Sequence, residues 1–418
     1  MVKRITVLIF VAFSVLACVE ELEIDRVTSE DNAGALVVEA TLTNVAERQR
    51  VFLTRSVSRL DLETDTTYFR FRPLGLGLQD SVEYEENAQV RVFGSDGSSF
   101  TFSEENQGTY LSEEAFAVQS DVDYRLEIIT AMGVAYESSA VRAPDVSQIT
   151  NLYAERITTD LGVEGIQIYV DSEPISGSPS NFRYTYEETY KIIAPLWSPF
   201  DMVVLDPNPP FDFGLVPREQ EERVCFGTQF SNNIIQNEGF DLVGNTVENA
   251  LIRFIPGDDF IIAHRYSILV KQMVQSPDAF AFYETLNELS SSNSVFTDVQ
   301  PGFIEGNISN MNNEDEKVLG FFEVANVSER RLFFNYEDFY PPENERAYPI
   351  RCTFLSAPAT INPGGTSPLK DIIEGGEFIY VRDTNGTVEG GGPYFVARRA
   401  CGDCTVLGSN IVPEFWIE

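Results

Sequence analysis

Histidine is almost missing from this 418-residue chain, which has only His264. A Ser-His-Asp hydrolase would have to use it, and the Gly-x-Ser-x-Gly elbow of such enzymes does not occur. A zinc hydrolase needs more imidazole than one side chain gives. Within "DDFIIAHRYSILVKQM", His264 reads as a strand residue bonded to a neighbour. Basic residues are also scarce: 29 Lys and Arg oppose 65 Asp and Glu, a formal charge of −36. Nucleic acid and anionic lipid surfaces repel such a chain, and no basic block offsets this. The phosphate loop and the dinucleotide fingerprint are absent too, as is any fixed-period repeat. The expectation is a protein without catalytic residues, cofactor or metal, and with no nucleic-acid partner.

Acids are so abundant that some pair will look apposed by chance, so paired carboxylates do not by themselves argue for glycoside hydrolysis. Asp258-Asp259 follows Pro256-Gly257 and reads as a turn before a strand. "DTNGTVEGGG" offers Asp383, Asn385 and Glu389 as calcium-capable oxygens, but it lacks the EF-hand ligand order and reads as a solvated turn. The chain is nevertheless 43% hydrophobic and 12% aromatic, the composition of a folded globule, and its length suggests two or three domains.

The first residues, MVKRITVLIFVAFSVLAC, have the parts of an export signal: Lys3 and Arg4, an apolar core from Ile5 to Leu16, and the small Ala17. The core is shorter than the roughly 20 residues a spanning helix needs. Val15-Leu16-Ala17-Cys18 resembles the lipobox of bacterial lipoproteins, which implies acylation of Cys18 and removal of residues 1–17. The other reading is a plain secretory signal cut near Ala17. A lipidated Cys18 also accounts for the odd cysteine number, leaving four of five to pair. Each buried methylene adds about 0.8 kcal/mol, so several acyl chains would hold such a terminus in a membrane. Removing residues 1–17 takes the charge to −38. Glu20, Glu21, Glu23 and Asp25 resemble the surface-export signal of Bacteroidota lipoproteins, or else simply solvate the tether. Residues 18–33 could reach roughly 50 Å if extended.

Beyond the tether the dominant period is two. "ALVVEATLTNV" alternates Leu36, Val38, Ala40 and Leu42 against more polar neighbours. "NAQVRVFGSDGSSFTF" gives two such runs around Ser95-Asp96-Gly97-Ser98, and strands are expected near 122–130 and 133–138. This spacing predicts an immunoglobulin-like β-sandwich over 34–145, ending near Arg142-Ala143-Pro144-Asp145. Residues 146–418 open as a second sandwich, with "GIQIYVD" and "NFRYTYEETYKI" as strands. "APLWSPFDMVVLDPNPPFDFGLVPREQ" reads as a long irregular loop, and such loops are often functional. "SPDAFAFYETLNEL" reads as a helix near 277–290, with Ser276 as N-cap and Pro277 at its first position. Its apolar stripe, Ala279, Phe282, Tyr283, Leu286 and Leu289, is expected to pack on a core. The fold expected is mainly β: two consecutive sandwiches, the second enlarged by long loops and one short helix.

The order of "DAFAFYETLNEL", "SVFTDVQP", "EGNISN", "VLGFFEVANVSERR", "CGDC" and "PEFW" resembles Bacteroidota lipoproteins of the domain-of-unknown-function family 4249. Its clearest elements are Gly306-Asn307-Ile308, Val318-Leu319-Gly320-Phe321-Phe322, Cys401-Gly402-Asp403-Cys404 and Pro413-Glu414-Phe415-Trp416. Gly408-Ser409 stands where the resemblance suggests a glycine pair. The resemblance implies an outer-membrane lipoprotein commonly encoded beside TonB-dependent transporters, and it supplies no catalytic residues.

Cys225, Cys352, Cys401 and Cys404 remain. A Cys-x-x-Cys can be a redox couple, half a zinc site or two disulfide partners. Export favours two structural disulfides, in any of three connectivities. If Cys225 and Cys352 each pair with one of Cys401 and Cys404, each loop closed contributes about 4 kcal/mol in the chain-entropy treatment. Together with what the resemblance implies, two functions are expected. One is an accessory of a TonB-dependent barrel, anchored to the outer membrane by lipid and exposed either to the periplasm or to the cell surface. The other is a free-standing, adhesin-like binder of glycan or protein. In both, Trp197, Phe200, Phe211 and Phe213 are candidate contacts, unless they only cover a core.

Overall fold

Alternating burial carries the sequence pattern into three dimensions. In the computed structural model Leu36, Val38, Ala40 and Leu42 point inward, while their neighbours stay half-buried or exposed. The structure describes residues 34–56, 83–173, 181–238, 247–291, 304–313, 315–361, 365–386, 389 and 391–418. The expected leader at 1–17, the tether at 18–33 with Cys18, and "SVFTDVQP" at 294–301 lie outside the described residues.

The first unit contains β1 (Leu36–Thr43), β2 (Arg50–Arg55), β3 (Glu83–Tyr84), β4 (Gln89–Gly94) and β5 (Ser99–Asn106). It continues with β6 (Thr109–Ser112), β7 (Asp123–Ile129), β8 (Ala135–Ser138) and β9 (Val141–Arg142). The expected turn at Ser95–Ser98 joins β4 to β5, and Gly97 takes the positive φ that the turn requires. Inward residues of these strands meet in one core that includes Leu36, Leu53, Val92, Leu126 and Ile128, joined by Phe322 from far downstream.

The second unit has β10 (Ile149–Thr158), β11 (Glu164–Ser172), β12 (Asn181–Ile193), β13 (Phe200–Asp206) and β14 (Asp212–Pro217). Then follow β15 (Val224–Phe230), β16 (Ile235–Glu238), β17 (Val247–Pro256), β18 (Arg265–Val274) and the helix α1 (Pro277–Ser291). Next come β19 (Ile308–Asn310) and the long β20 (Leu319–Asn335). The β10-β11-β17 sheet faces the β15-β12-β18-β20 layer across a core of Ile166, Ile168, Val170, Tyr184, Ile255 and Tyr266. Ser276 caps α1 by accepting from the Ala279 N–H at 3.2 Å, as its sequence position predicts.

β20 crosses the boundary expected near 145. Its first half pairs in parallel with β1, from Val37↔Leu319 to Thr43↔Ala325, and its second half pairs antiparallel with β18. β19 returns to β8. The first core therefore includes Ile308, Val318, Phe322 and Val324 from far downstream, so it is not built from residues 34–145 alone. The family-like motifs have a physical role here. The Asn307 side chain donates to the Phe322 carbonyl and accepts from the Phe322 N–H, both at 2.8 Å, imitating a strand partner. Gly320 has φ +102°, and a Cβ there would lie 1.9 Å from the Val38 carbonyl oxygen.

A small third layer is formed by β21 (Phe354–Ser356), α2 (Pro368–Gly375), β22 (Phe378–Asp383) and β23 (Tyr394–Arg398). The sequence pattern predicts one helix, and α2 is a second. Its signals are local: Ser367 caps the Lys370 N–H at 3.1 Å, Pro368 begins it, and Gly376 ends it at φ 67°. The terminal Pro-Glu-Phe-Trp segment is a strap over the outer face of the second sandwich. Ser409 exchanges backbone hydrogen bonds with Phe226 on the edge strand β15. Trp416 packs on Phe226 and Phe333, and the Arg331 guanidinium lies 3.5 Å from the Phe415 ring centre.

Candidate functional site

The proline-aromatic stretch is not an irregular loop. Its β-branched centre pairs β13 with β14 as a hairpin, and Asp206 accepts from the Asn208 N–H at 2.9 Å to begin the turn. The four candidate aromatics are dispersed. Trp197 packs against the second core and Phe213 against the third, beside Met202 and Leu215. Phe211 is half-buried, and Phe200 is 40% exposed. They do not converge on one ligand surface.

Two disulfides hold this region, Cys225–Cys404 and Cys352–Cys401. The motif between the adjacent cysteines is a structural knot. Asp403, fully buried, accepts from Thr405 N–H at 2.9 Å and from Arg399 Nε at 2.7 Å. Burial raises the Asp403 pKa, but hydrogen bonds from Thr405 and Arg399 outweigh it and leave the carboxyl below the usual range. Arg218 donates to the Gly402 carbonyl at 3.2 Å and pairs with Glu222. Burial and the nearby Asp403 charge raise the Glu222 pKa.

A cavity of about 1210 Å³ lies above this knot. Arg156 from β10, the turn at Gly257 and Asp258, Tyr336 and Tyr340 after β20, and the 344–353 segment line it. One wall is a layered stack. Tyr336 and Tyr340 stack at 5.0 Å, Arg346 lies 4.2 Å from the Tyr336 ring centre, and Arg156 lies 4.7 Å from that of Tyr340. Glu164 pairs with Arg156 and Glu337 with Arg346, so each guanidinium is fixed by both a ring and a carboxylate. The hydrogen bond from Arg346 holds Glu337 below the usual carboxylate range. Burial pushes the Tyr348 hydroxyl up to about 12, keeping it a proton donor, and it donates to the Ala400 carbonyl. The buried Tyr340 hydroxyl has no hydrogen-bond partner among the described residues.

His264 sits at the edge of this arrangement rather than inside a strand. Asp259 caps a short 3-10 turn at Phe260–Ile262 by accepting from Ile261 N–H at 3.1 Å, and His264 follows immediately before β18. Burial, then the Arg346 and Lys191 charges, lower its pKa to about 4, so it is neutral at pH 7. Among the described residues no cluster of three His, Cys, Asp or Glu could hold a metal ion. The cleft offers donors, carboxylates and aromatic faces in one rigid frame, which suits recognition of a polar ligand or an inserted loop.

Sequence reasoning reached Cys352 and the neighbourhood of Trp197 but missed Arg156, Tyr336, Tyr340 and Arg346. The signal lay in "NYEDFYPPENERAYPIR", where tyrosine, arginine and proline concentrate just after the longest strand. Residues 19–331 match the family described as "Domain of unknown function (DUF4249)". The match ends before Cys352, Cys401, Cys404 and the terminal strap. No curated protein matches the chain.

Proposed function

The chain belongs to the DUF4249 family, and from that premise we propose that it is an outer-membrane lipoprotein acting as a non-catalytic accessory of a TonB-dependent nutrient transporter. Cys18 is the lipid anchor in this reading, and residues 18–33 form the leash.

The observation that carries the reading is the cleft. It is open, preformed and lined by arginine and tyrosine, residue types that dominate interface energetics. Its two stacked arginines are already oriented, so little side-chain entropy is lost when a partner arrives. The cleft also carries both charge signs, through Arg156, Arg346 and Arg351 against Glu164, Asp258 and Glu345, which favours a partner with complementary polar groups.

A photoreactive residue placed at Glu345, in cells expressing the full-length chain, tests this. The reading expects an adduct with an outer-membrane barrel of the TonB-dependent class. Adducts no different from those of a probe at the exposed Gln107, on the far sandwich, would contradict it. An adduct with glycan or with a surface protein alone would replace it with the adhesin-like reading.

A further inference from the structure

Beneath α1, away from the cleft, lies a second cavity of about 670 Å³. Its walls are mostly apolar: Ile234, Phe282, Leu286, Ile304, Leu319 and Phe321. The volume is within the roughly 300–1,000 Å³ typical of small-ligand sites. Its construction follows from the features above. β1 and β20 supply a parallel floor, and α1 lays its apolar stripe across β20, with Phe282 and Phe321 ring centres 5.2 Å apart.

Arg183 reaches this apolar space from β12. Its guanidinium pairs with Glu323, whose side chain is 1% exposed, and lies 4.3 Å from the Tyr283 ring centre. Glu323 is well supplied: Gln275 donates to its Oε1 at 2.9 Å, and Thr41 and Arg183 donate to Oε2. Arg183 is not. A guanidinium carries five N–H groups, and the Arg183 Nε–H has no acceptor among the described residues. Arg50, also lining this cavity, is exposed and has no ion-pair partner among the described residues. An orphaned donor in an apolar pocket is costly unless an oxygen arrives to accept from it. Glu39 at the rim is exposed, and it is not an acceptor for the Arg183 Nε–H.

We infer that this cavity binds a small amphiphilic monocarboxylate, its hydrocarbon body under α1 and its carboxylate accepting from Arg183 and Arg50. The apolar walls select the body and the two arginines select the head. The inference is independent of the transporter reading, because it uses none of the cleft residues.

Equilibrium dialysis of tritiated decanoate against the full-length chain in amphipol, with empty amphipol as background, tests the inference. One saturable site per chain is expected, with methyl decanoate binding at least tenfold more weakly. Leu286→Trp fills the cavity without touching the ion pair and should abolish binding. Because Arg183→Gln alone would strand Glu323, the paired variant Arg183→Gln/Glu323→Gln keeps the packing and removes both charges. It should fold and bind decanoate at least tenfold more weakly. No saturable uptake, equal binding of acid and ester, or binding that survives Leu286→Trp would each overturn the inference.

Discussion

Replacing Cys225 and Cys404, both members of the second core, together by alanine should be strongly destabilising. Their bridge spans 179 residues, against 49 for Cys352–Cys401. The inner bridge is nested within the outer, so with it closed the outer loop is effectively shortened to roughly 130 residues. The chain-entropy treatment then gives about 5 kcal/mol for the outer bridge and about 4 kcal/mol for the inner. Both Cys225 and Cys404 are fully buried, so truncation also leaves small cavities and adds to the loss. Losing a cross-link expands the unfolded chain and raises the denaturant slope, so the comparison must use free energies from full urea curves rather than midpoints. The reasoning predicts a larger loss for Cys225→Ala/Cys404→Ala than for Cys352→Ala/Cys401→Ala. A reversed order, or an outer-bridge loss below about 2 kcal/mol, would refute it.

Other expectations follow from single contacts. Glu323→Ala leaves Arg183 buried without its counter-charge and should cost about 3–5 kcal/mol in urea unfolding, while Glu323→Gln should cost less. His264 has its folded pKa lowered to about 4, so the unfolded chain takes up its proton first as pH falls. The stability tied to its neutral form is therefore complete above pH 6.5 and is lost as pH falls from 6.5 towards 4. Across that window the wild type should lose more stability than His264→Asn, and parallel urea curves at each pH would contradict this. Cys18→Ala should release the protein from membranes or leave its leader uncleaved, and unchanged lipid labelling and fractionation would remove the proposed anchor.

Much of the fold was legible because its strands are half-buried, and period two survives in the sequence wherever one face meets a core. Leu36 to Leu42 and Phe182 to Tyr186 are examples, and Ser276-Pro277 marked α1 by the same local logic. What could not be read is non-local. Nothing near Leu36 announces that its strand will pair with residues almost three hundred positions later, because parallel pairing leaves no turn signal. The hairpin at 200–217 was hidden by its prolines, which read as loop although they lie at its ends and in its turn. The aromatics chosen from that stretch were legible as apolar, but their distribution over two cores was not. The cleft wall was missed for a similar reason. Arg156 and Tyr340 are far apart in sequence, and only the packing of β10 against the end of β20 brings guanidinium and ring together.

The central claim, an accessory that works with a transporter, is tested most directly by what accompanies the protein out of its membrane. The tagged full-length chain should be extracted from native outer membranes in mild detergent, and its companions identified and quantified by mass spectrometry. The account predicts a TonB-dependent barrel at a fixed stoichiometry near one to one. Recovery of the chain alone, or with no barrel above background, would contradict it.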